Sequence, residues 1–164
     1  MNSNVELFDI VNDKKFQLEF LDELRLKYPL LILQSINSQF ILGINHVKKI
    51  LSISLYAKKN HSLLSKKIEI DILLRFAITT QISSAIEVVG QKPNNELLII
   101  AIGKKSTLNK IYSDLKSYLN GKPLSKKNQP YLKNQFGISS KQLSAVHSKN
   151  PLEDLLVEKA TILL

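Results

Sequence analysis

Hydrophobic residues occur along this chain in two patterns, short unbroken runs and stripes at helical spacing. Three runs, over residues 5–11, 30–36 and 96–102, are too short for typical buried helices and predict β-strands. The second run has little polar alternation, so we expect a central strand covered on both faces. Apolar residues between the runs recur every three or four positions, which indicates amphipathic helices. The pattern predicts an α+β fold in two layers, a small mixed or antiparallel sheet packed with several helices.

Residues that cap or break helices indicate where the helices begin and end. A first helix is expected to begin near Asp13, to place Phe16 on its apolar face and to end before Pro29. The other predicted helices, in chain order, are 46–59 capped by Asn45, 68–76, 82–89 capped by Thr79 or Thr80, one capped by Ser106 and ended by Asn120 and Gly121, 139–146, and 151–163 capped by Asn150.

Length and composition narrow the class of protein. The 164 residues are expected to form one domain, residues 1–164, and 44% hydrophobic residues with five Gly and five Pro are typical of globular proteins. No apolar run approaches the roughly 18 residues that a membrane-spanning helix needs. The chain has no cysteine, and its N-terminus lacks the basic and apolar regions of a secretory signal. We expect a cytoplasmic location, and also a nuclear one if the source is eukaryotic.

Positive charge is concentrated in one stretch of the chain. The chain has 23 Lys and Arg against 14 Asp and Glu, and residues 104–149 hold ten basic residues but a single acidic one, Asp114. A predicted loop over residues 122–136, which also holds Pro123 and Pro130, mixes lysines with aromatic residues: Lys122, Lys126, Lys127, Lys133, Tyr131 and Phe136. This mixture is typical of surfaces that bind single-stranded nucleic acid. A codon bias toward Lys, Asn and Ile would give the same surplus without a ligand, and both interpretations stay open.

No metal or nucleotide motif is present. The three histidines, His46, His61 and His147, fall on separate predicted elements without the spacing of metal ligands. Glycine-rich phosphate loops and the GxSxG elbow are absent from the sequence. Residues 103–107 resemble a phosphate-binding turn in layout, but a strand-to-helix turn capped by Ser106 is the simpler interpretation.

One pair of carboxylates, Glu69 and Asp71, lies close to a dense apolar run. Residues two apart on a helix face different directions, so they make a poor acid–base pair. We therefore hypothesise that the protein has no active site of its own and is not an enzyme. No cofactor, no metal and no small-molecule substrate are expected.

Residues 69–90 read EIDILLRFAITTQISSAIEVVG. This segment resembles the signature of the kinase-binding small subunit of the KEOPS complex, the TPRKB type. The matching residues are Glu69, Leu73, Leu74, Gln81, Ile82, Ala85 and Gly90, with His46 and Ala57 fitting an upstream helix and residues 151–164 similar to the family's terminal helix. The family has Gly and Arg where this chain has Ile78 and Thr80. The turn must therefore form without glycine's backbone freedom, and any contact of the arginine is lost.

The resemblance implies a non-catalytic subunit that binds and supports the kinase-like ATPase of KEOPS. It also implies that the subunit helps to bind tRNA, including its single-stranded 3′ end, during threonylcarbamoyl modification of adenosine. No membrane partner is expected. Alternatives that remain open are a stand-alone module that binds single-stranded RNA and a small enzyme that uses scattered acids.

Two sets of site residues follow as hypotheses. Apolar residues of the paired helices and of the terminal helix are predicted to dock the kinase, although each is also a candidate core residue: Ile70, Leu74, Ile82, Leu155, Leu156 and Leu163. Basic residues and the turn are predicted to bind RNA: Lys48, Lys58, Lys59, Thr80 and Gln81, then Lys104 and Lys105. The apolar C-terminal residues either dock on the domain or serve a partner.

Overall fold

A computed structural model describes residues 3–11, 18–92, 95–121 and 128–163. The chain divides into two compact units. A sheet unit comprises Met1–Ser38 and Gly90–Pro123, and a helical unit comprises Gln39–Val89 and Leu124–Leu164. That residues 1–164 form one domain stays a prediction.

The sheet unit is built on three antiparallel strands, β1 (Asn4–Ile10), β2 (Ile32–Asn37) and β3 (Leu97–Gly103), in the order β1-β3-β2. Phe8 lies opposite Ile99, and Leu33 lies opposite Ala101. The central strand β3 is buried at every residue except Gly103, as expected for a strand with neighbours on both sides. This sheet and the helices confirm the predicted α+β fold and select the antiparallel alternative.

Two helices, α1 (Leu18–Lys27) and α5 (Lys105–Leu115), share a cluster of buried hydrophobic residues with the sheet. Alternate residues of each strand enter this core, as the two-residue period of a strand requires. The buried residues of this cluster are Phe8, Ile10, Leu21, Leu24, Tyr28, Leu31, Leu33, Leu97, Ile99, Ala101, Leu108, Ile111 and Leu115. Each fully buried aliphatic side chain contributes about 1.5–3 kcal/mol, so this core holds the helix layer on the sheet.

The prediction that the second apolar run forms the central strand is wrong. β2 is an edge strand that begins at Ile32, and Leu30 lies in the preceding turn with 84% of its surface exposed. Most of β2 is nevertheless buried. An unbroken apolar run indicates that a strand is covered, but it does not indicate how many strands pair with it.

Two predicted helix caps are also wrong. The helix α2 (Ile44–Lys59) begins before Asn45, and Gly43 is its N-cap with a φ of 152°, a conformation that favours glycine. α5 begins before Ser106, with Lys104 as N-cap. In both cases the expected cap lies inside the first turn, since the helix starts at an earlier residue. Asn150 is the N-cap of the last helix but makes no side-chain capping bond.

The helical unit contains α2, α3 (Ile68–Ala77), α4 (Ile82–Val89), α6 (Gln129–Gln135), α7 (Ser140–Ser144) and α8 (Pro151–Thr161). α6 replaces part of the predicted loop. Pro130 lies in its first turn, where a missing N–H breaks no helical bond, and Leu132 is buried. The predicted residues Asp13, Phe16, Lys122, Pro123, Lys126, Lys127 and Leu164 lie outside the described residues or have no described side chain.

A buried ion pair joins three segments of the helical unit. Arg75 Nε donates to Asp71 Oδ2 over 2.8 Å, and Arg75 Nη2 donates to Asp71 Oδ1 over 3.2 Å. The Leu64 N–H, from the loop before α3, donates to the same carboxylate over 2.8 Å. Arg75 Nη1 donates to the Ala160 carbonyl in the last turn of α8 over 2.8 Å. α8 is thus docked on this unit through its final turn.

Asp71→Asn should lower the free energy of unfolding by about 3–5 kcal/mol, because it leaves the Arg75 cation buried without its counter-charge. The matched control is Asp22→Asn, which removes the exposed pair of Asp22 with Arg25. That change should cost less than about 1 kcal/mol. Urea denaturation of both variants measures the difference, and equal small losses would contradict a structural role for the buried pair.

Candidate partner surfaces

The helices α3 and α4 meet at a tight turn over residues 78–81, inside the segment that resembles the family signature. α3 is buried over most of its length, whereas α4 buries only Ala85 and Val89 and turns its other face outward. Among the described residues no single helix is long and apolar enough to cross a membrane; only α3 and α4 together have the length and composition, and they bend by 68° at their break.

Ile78 adopts the left-handed conformation that the turn requires. Its φ and ψ are both 50°, and it closes α3 while the Thr79 N–H donates to the Leu74 carbonyl over 3.2 Å. A β-branched residue is strained in this region, where glycine is not. The chain therefore retains a glycine-type turn although it has isoleucine at that position.

The turn also presents the two polar residues predicted to bind RNA. Thr80 and Gln81 are both exposed. The Gln81 N–H donates to Thr79 Oγ1 over 3.2 Å, which orders the backbone just before α4. The side chain of Gln81 projects from a fixed turn and is available to a ligand.

The predicted kinase-docking residues divide into two groups. Leu74 and Leu156 are 0% and 1% exposed and belong to the core. A partner cannot touch them without unpacking the unit, so the prediction that these two residues dock the kinase is corrected. Ile70, Leu155 and Leu163 are half-buried, and Ile82 is 45% exposed. The docking role of these four residues stays a prediction.

Ile86 is a surface residue that the sequence reasoning missed. It is 53% exposed and follows Ile82 by one helical turn on α4, so the two isoleucines form an outward apolar pair. The i, i+4 spacing places Ile82 and Ile86 on one face, but the buried pair Ala85 and Val89 has the same spacing, so the sequence did not show which face is outward. Ile162, just beyond α8, is 66% exposed as well. We call Ile82, Ile86 and Ile162 the apolar surface set.

Ion pairs with Lys49 hold the first turn of α8 in place. Lys49 Nζ lies 2.7 Å from Glu153 Oε1 and 2.7 Å from Asp154 Oδ1. These contacts hold the pKa of Asp154 below its usual range and raise the pKa of Lys49. α8 is therefore fixed at its beginning by Lys49 and at its end by Arg75. The helix α8 thus docks on the helical unit, whereas of the apolar residues after it Ile162 is exposed and Leu163 is half-buried, so both alternatives for the C-terminal residues stay open.

The predicted RNA-binding lysines of the helical unit lie on α2. Lys48, Lys58 and Lys59 are exposed, and none of them forms an ion pair with any residue that the structure describes. Lys104 and Lys105 belong to the sheet unit, and the Lys105 ammonium forms an ion pair with Glu6. The unpaired α2 lysines are better candidates for phosphate contacts than Lys105, because their charge is not already neutralised.

His46, which fits a family position, is a core residue. It is 3% exposed, accepts a hydrogen bond at Nδ1 from the Leu42 N–H over 3.3 Å and packs edge-on against Phe76. Burial, with the nearby Lys49 charge, lowers the pKa of His46 to about 4. His46 is therefore neutral at pH 7 and contributes to packing. His61 and His147 are exposed.

The carboxylate pair considered for acid–base chemistry does not act as a pair. Asp71 is 0% exposed and accepts hydrogen bonds from Arg75 and Leu64, while Glu69 is half-buried two residues away. In this conformation both Asp71 oxygens are occupied within the fold.

A comparison with protein families shows the family of the chain that carries these surfaces. The model of the family described as "Kinase binding protein CGI-121" matches residues 8–162. The chain belongs to the CGI-121 family. The chain is thus a kinase-binding protein, and the match confirms the resemblance seen in the signature segment. No curated protein matches the sequence significantly.

Ile78→Gly should give a more stable protein than Ile78→Ala, by about 1 kcal/mol. Both changes remove the same isoleucine contacts, but only glycine relieves the left-handed strain. Thermal unfolding of the two variants makes the comparison. Equal stability would show that the turn does not hold this residue at positive φ in solution.

Proposed function

We propose that this CGI-121 family member is a non-catalytic subunit of a KEOPS-type complex. In this proposal it binds and supports the kinase-like ATPase and helps to bind tRNA for threonylcarbamoyl modification of adenosine. Family membership supports the kinase partner. The observation that carries the proposed docking surface is the outward pair Ile82 and Ile86 on α4, within the segment that resembles the family signature.

The composition of α4 supports a role in binding. Its two outward isoleucines are about half-exposed, although burial of a large aliphatic side chain is worth about 1.5–3 kcal/mol. The opposite face of α4 is anchored in the unit by Ala85 and Val89, which are both 0% exposed. α3 contacts α4 and α8, so the buried helix supports both elements that carry the apolar surface set. Adjacent apolar side chains that a packed helix leaves exposed are typical of surfaces that contact a partner.

The α2 lysines support the proposed RNA contact. Lys58 and Lys59 lie in the last turn of α2, and each can reach a phosphate as a point charge. The chain has only two arginines, Arg25 and Arg75, and Arg75 is buried against Asp71. Contacts to the backbone of RNA are therefore proposed, without reading of base sequence.

Ile86→Glu should weaken association with the kinase-like ATPase by about tenfold or more, because it places a charge in the proposed apolar contact. The matched control is Leu30→Glu, an exposed leucine of the sheet unit. Both sites are exposed, so neither variant should lose much stability. Binding of the purified kinase to each variant is the measurement. Undiminished affinity of both Ile86→Glu and Ile82→Glu would reject this surface.

Lys58→Gln and Lys59→Gln should each reduce the salt dependence of tRNA binding by about 0.7 log units per log salt, as expected for one lost contact to single-stranded RNA. Lys27→Gln is the control, since Lys27 is already paired with Asp114 over 2.8 Å. Titrations at several salt concentrations, with tRNA that has or lacks its 3′ terminal nucleotides, give the slopes. A flat salt dependence of the unaltered protein would argue against phosphate contacts.

A further inference from the structure

The helical unit contains a cavity of about 210 Å³ where α6, α7 and the start of α8 meet. None of its described lining residues belongs to α2, α3 or α4. It therefore includes none of the residues assigned to the kinase or to the α2 and turn contacts with RNA, although Lys133 belongs to the lysine-rich stretch 122–136 noted in the sequence. A function for this cavity must be argued from its own lining.

Two lysines face the cavity without a counter-charge. Lys133 of α6 and Lys149 of the loop before α8 both line it, and neither forms an ion pair with a residue in the described part of the chain. The acid among the described lining residues, Glu153, is already bound to Lys49 Nζ over 2.7 Å. Among the described lining residues the cavity thus has two lysines outside any ion pair and one carboxylate, Glu153, whose Lys49 partner also contacts Asp154. The lining keeps a surplus of positive charge, and such a surplus concentrates ions of the other sign in a cleft.

The rest of the lining is partly amide and partly aliphatic. Gln129 and Asn150 contribute side-chain amides, and Asn150 makes no side-chain capping bond to α8 despite its position. Leu42 and Leu152, which are 4% and 5% exposed, form a fixed apolar wall. Side-chain amides of this type pair with the N6 and N7 edge of adenine, and the leucines can cover an apolar ring face.

Charge and size select the ligand class. A phosphate monoester carries a charge of about −1.5 to −2 at pH 7, which two ammonium groups match, whereas a carboxylate supplies one charge. The volume lies below the ~300 Å³ at which drug-sized sites begin, so the occupant is compact. We propose that this cavity binds a phosphate monoester no larger than a mononucleotide, either free or as the 5′-terminal phosphate of an RNA.

Calorimetric titration of the full chain with AMP and with adenosine tests the site. AMP should bind at least about tenfold more tightly than adenosine, because only AMP offers a charge-assisted contact to the lysines. The double variant Lys133→Gln/Lys149→Gln should lose about tenfold or more in AMP affinity. The matched control Lys66→Gln, an exposed lysine outside the cavity, should keep it. Equal binding of AMP and adenosine, absence of AMP binding, or no effect of the double variant would overturn the proposal.

The source of the phosphate is distinguished by tRNA with and without its 5′ phosphate. If removing that phosphate weakens tRNA binding and the double variant is insensitive to its removal, the occupant is the RNA terminus. If neither removal of the 5′ phosphate nor the double variant changes the affinity for tRNA, while AMP binding requires the two lysines, the occupant is a free ester. Both outcomes support the site. Kinase association and the salt dependence set by Lys58 and Lys59 are separate readouts, so failure here is distinguishable from failure of the proposed function.

Discussion

The buried pair of Asp71 and Arg75 is the constraint on which the helical unit depends. Both side chains are nearly removed from water, at 0% and 4% exposure, and desolvation of two charges is costly unless each finds its partners. Here every group is satisfied within the fold: the carboxylate accepts from Arg75 and from Leu64, and the guanidinium also donates to the Ala160 carbonyl. The pair therefore requires the loop before α3, α3 itself and the last turn of α8 to be in place together.

This requirement explains how the unit can keep apolar side chains outward. The ion pair holds α3 and α8 in place, and Leu74 of α3 and Leu156 of α8 pack in the core. The neighbouring helix α4 presents Ile82 and Ile86 outward. The distinction between core and surface isoleucines and leucines, on which the proposed docking face depends, is thus visible in the packed unit and not in the hydrophobic pattern alone.

The sequence predicted the elements well where one physical signal dominated. Periodicity located α2, α3, α4 and α8, and apolar runs located β1 and β3. It failed where two arrangements satisfy the same pattern. An apolar run such as that of β2 fits an edge or a central strand, and a proline such as Pro130 fits a loop or a first helical turn. The prediction that Asn45 and Ser106 cap their helices was wrong because the start of a helix can shift by a residue at little cost in free energy.

The candidate sites were less predictable than the elements, because they depend on contacts between segments far apart in the chain. The partnership of Arg75 with Ala160, which fixes the terminal helix, spans 85 residues and has no local signal. The same holds for the cavity lysines Lys133 and Lys149, whose surroundings come from α6, α7 and α8. By contrast, the substitution of Ile78 and Thr80 for the family's Gly and Arg was visible in the sequence, and the turn keeps its left-handed residue.

Amide hydrogen exchange of the chain, alone and bound to the kinase-like ATPase, tests the central claim most directly. The account predicts that binding slows exchange in the residues 78–89, around the turn and α4, and at the end of α8, while the amides of β1 keep their rates. Unchanged exchange over α4 in a saturated complex, with protection confined to other elements, would contradict it.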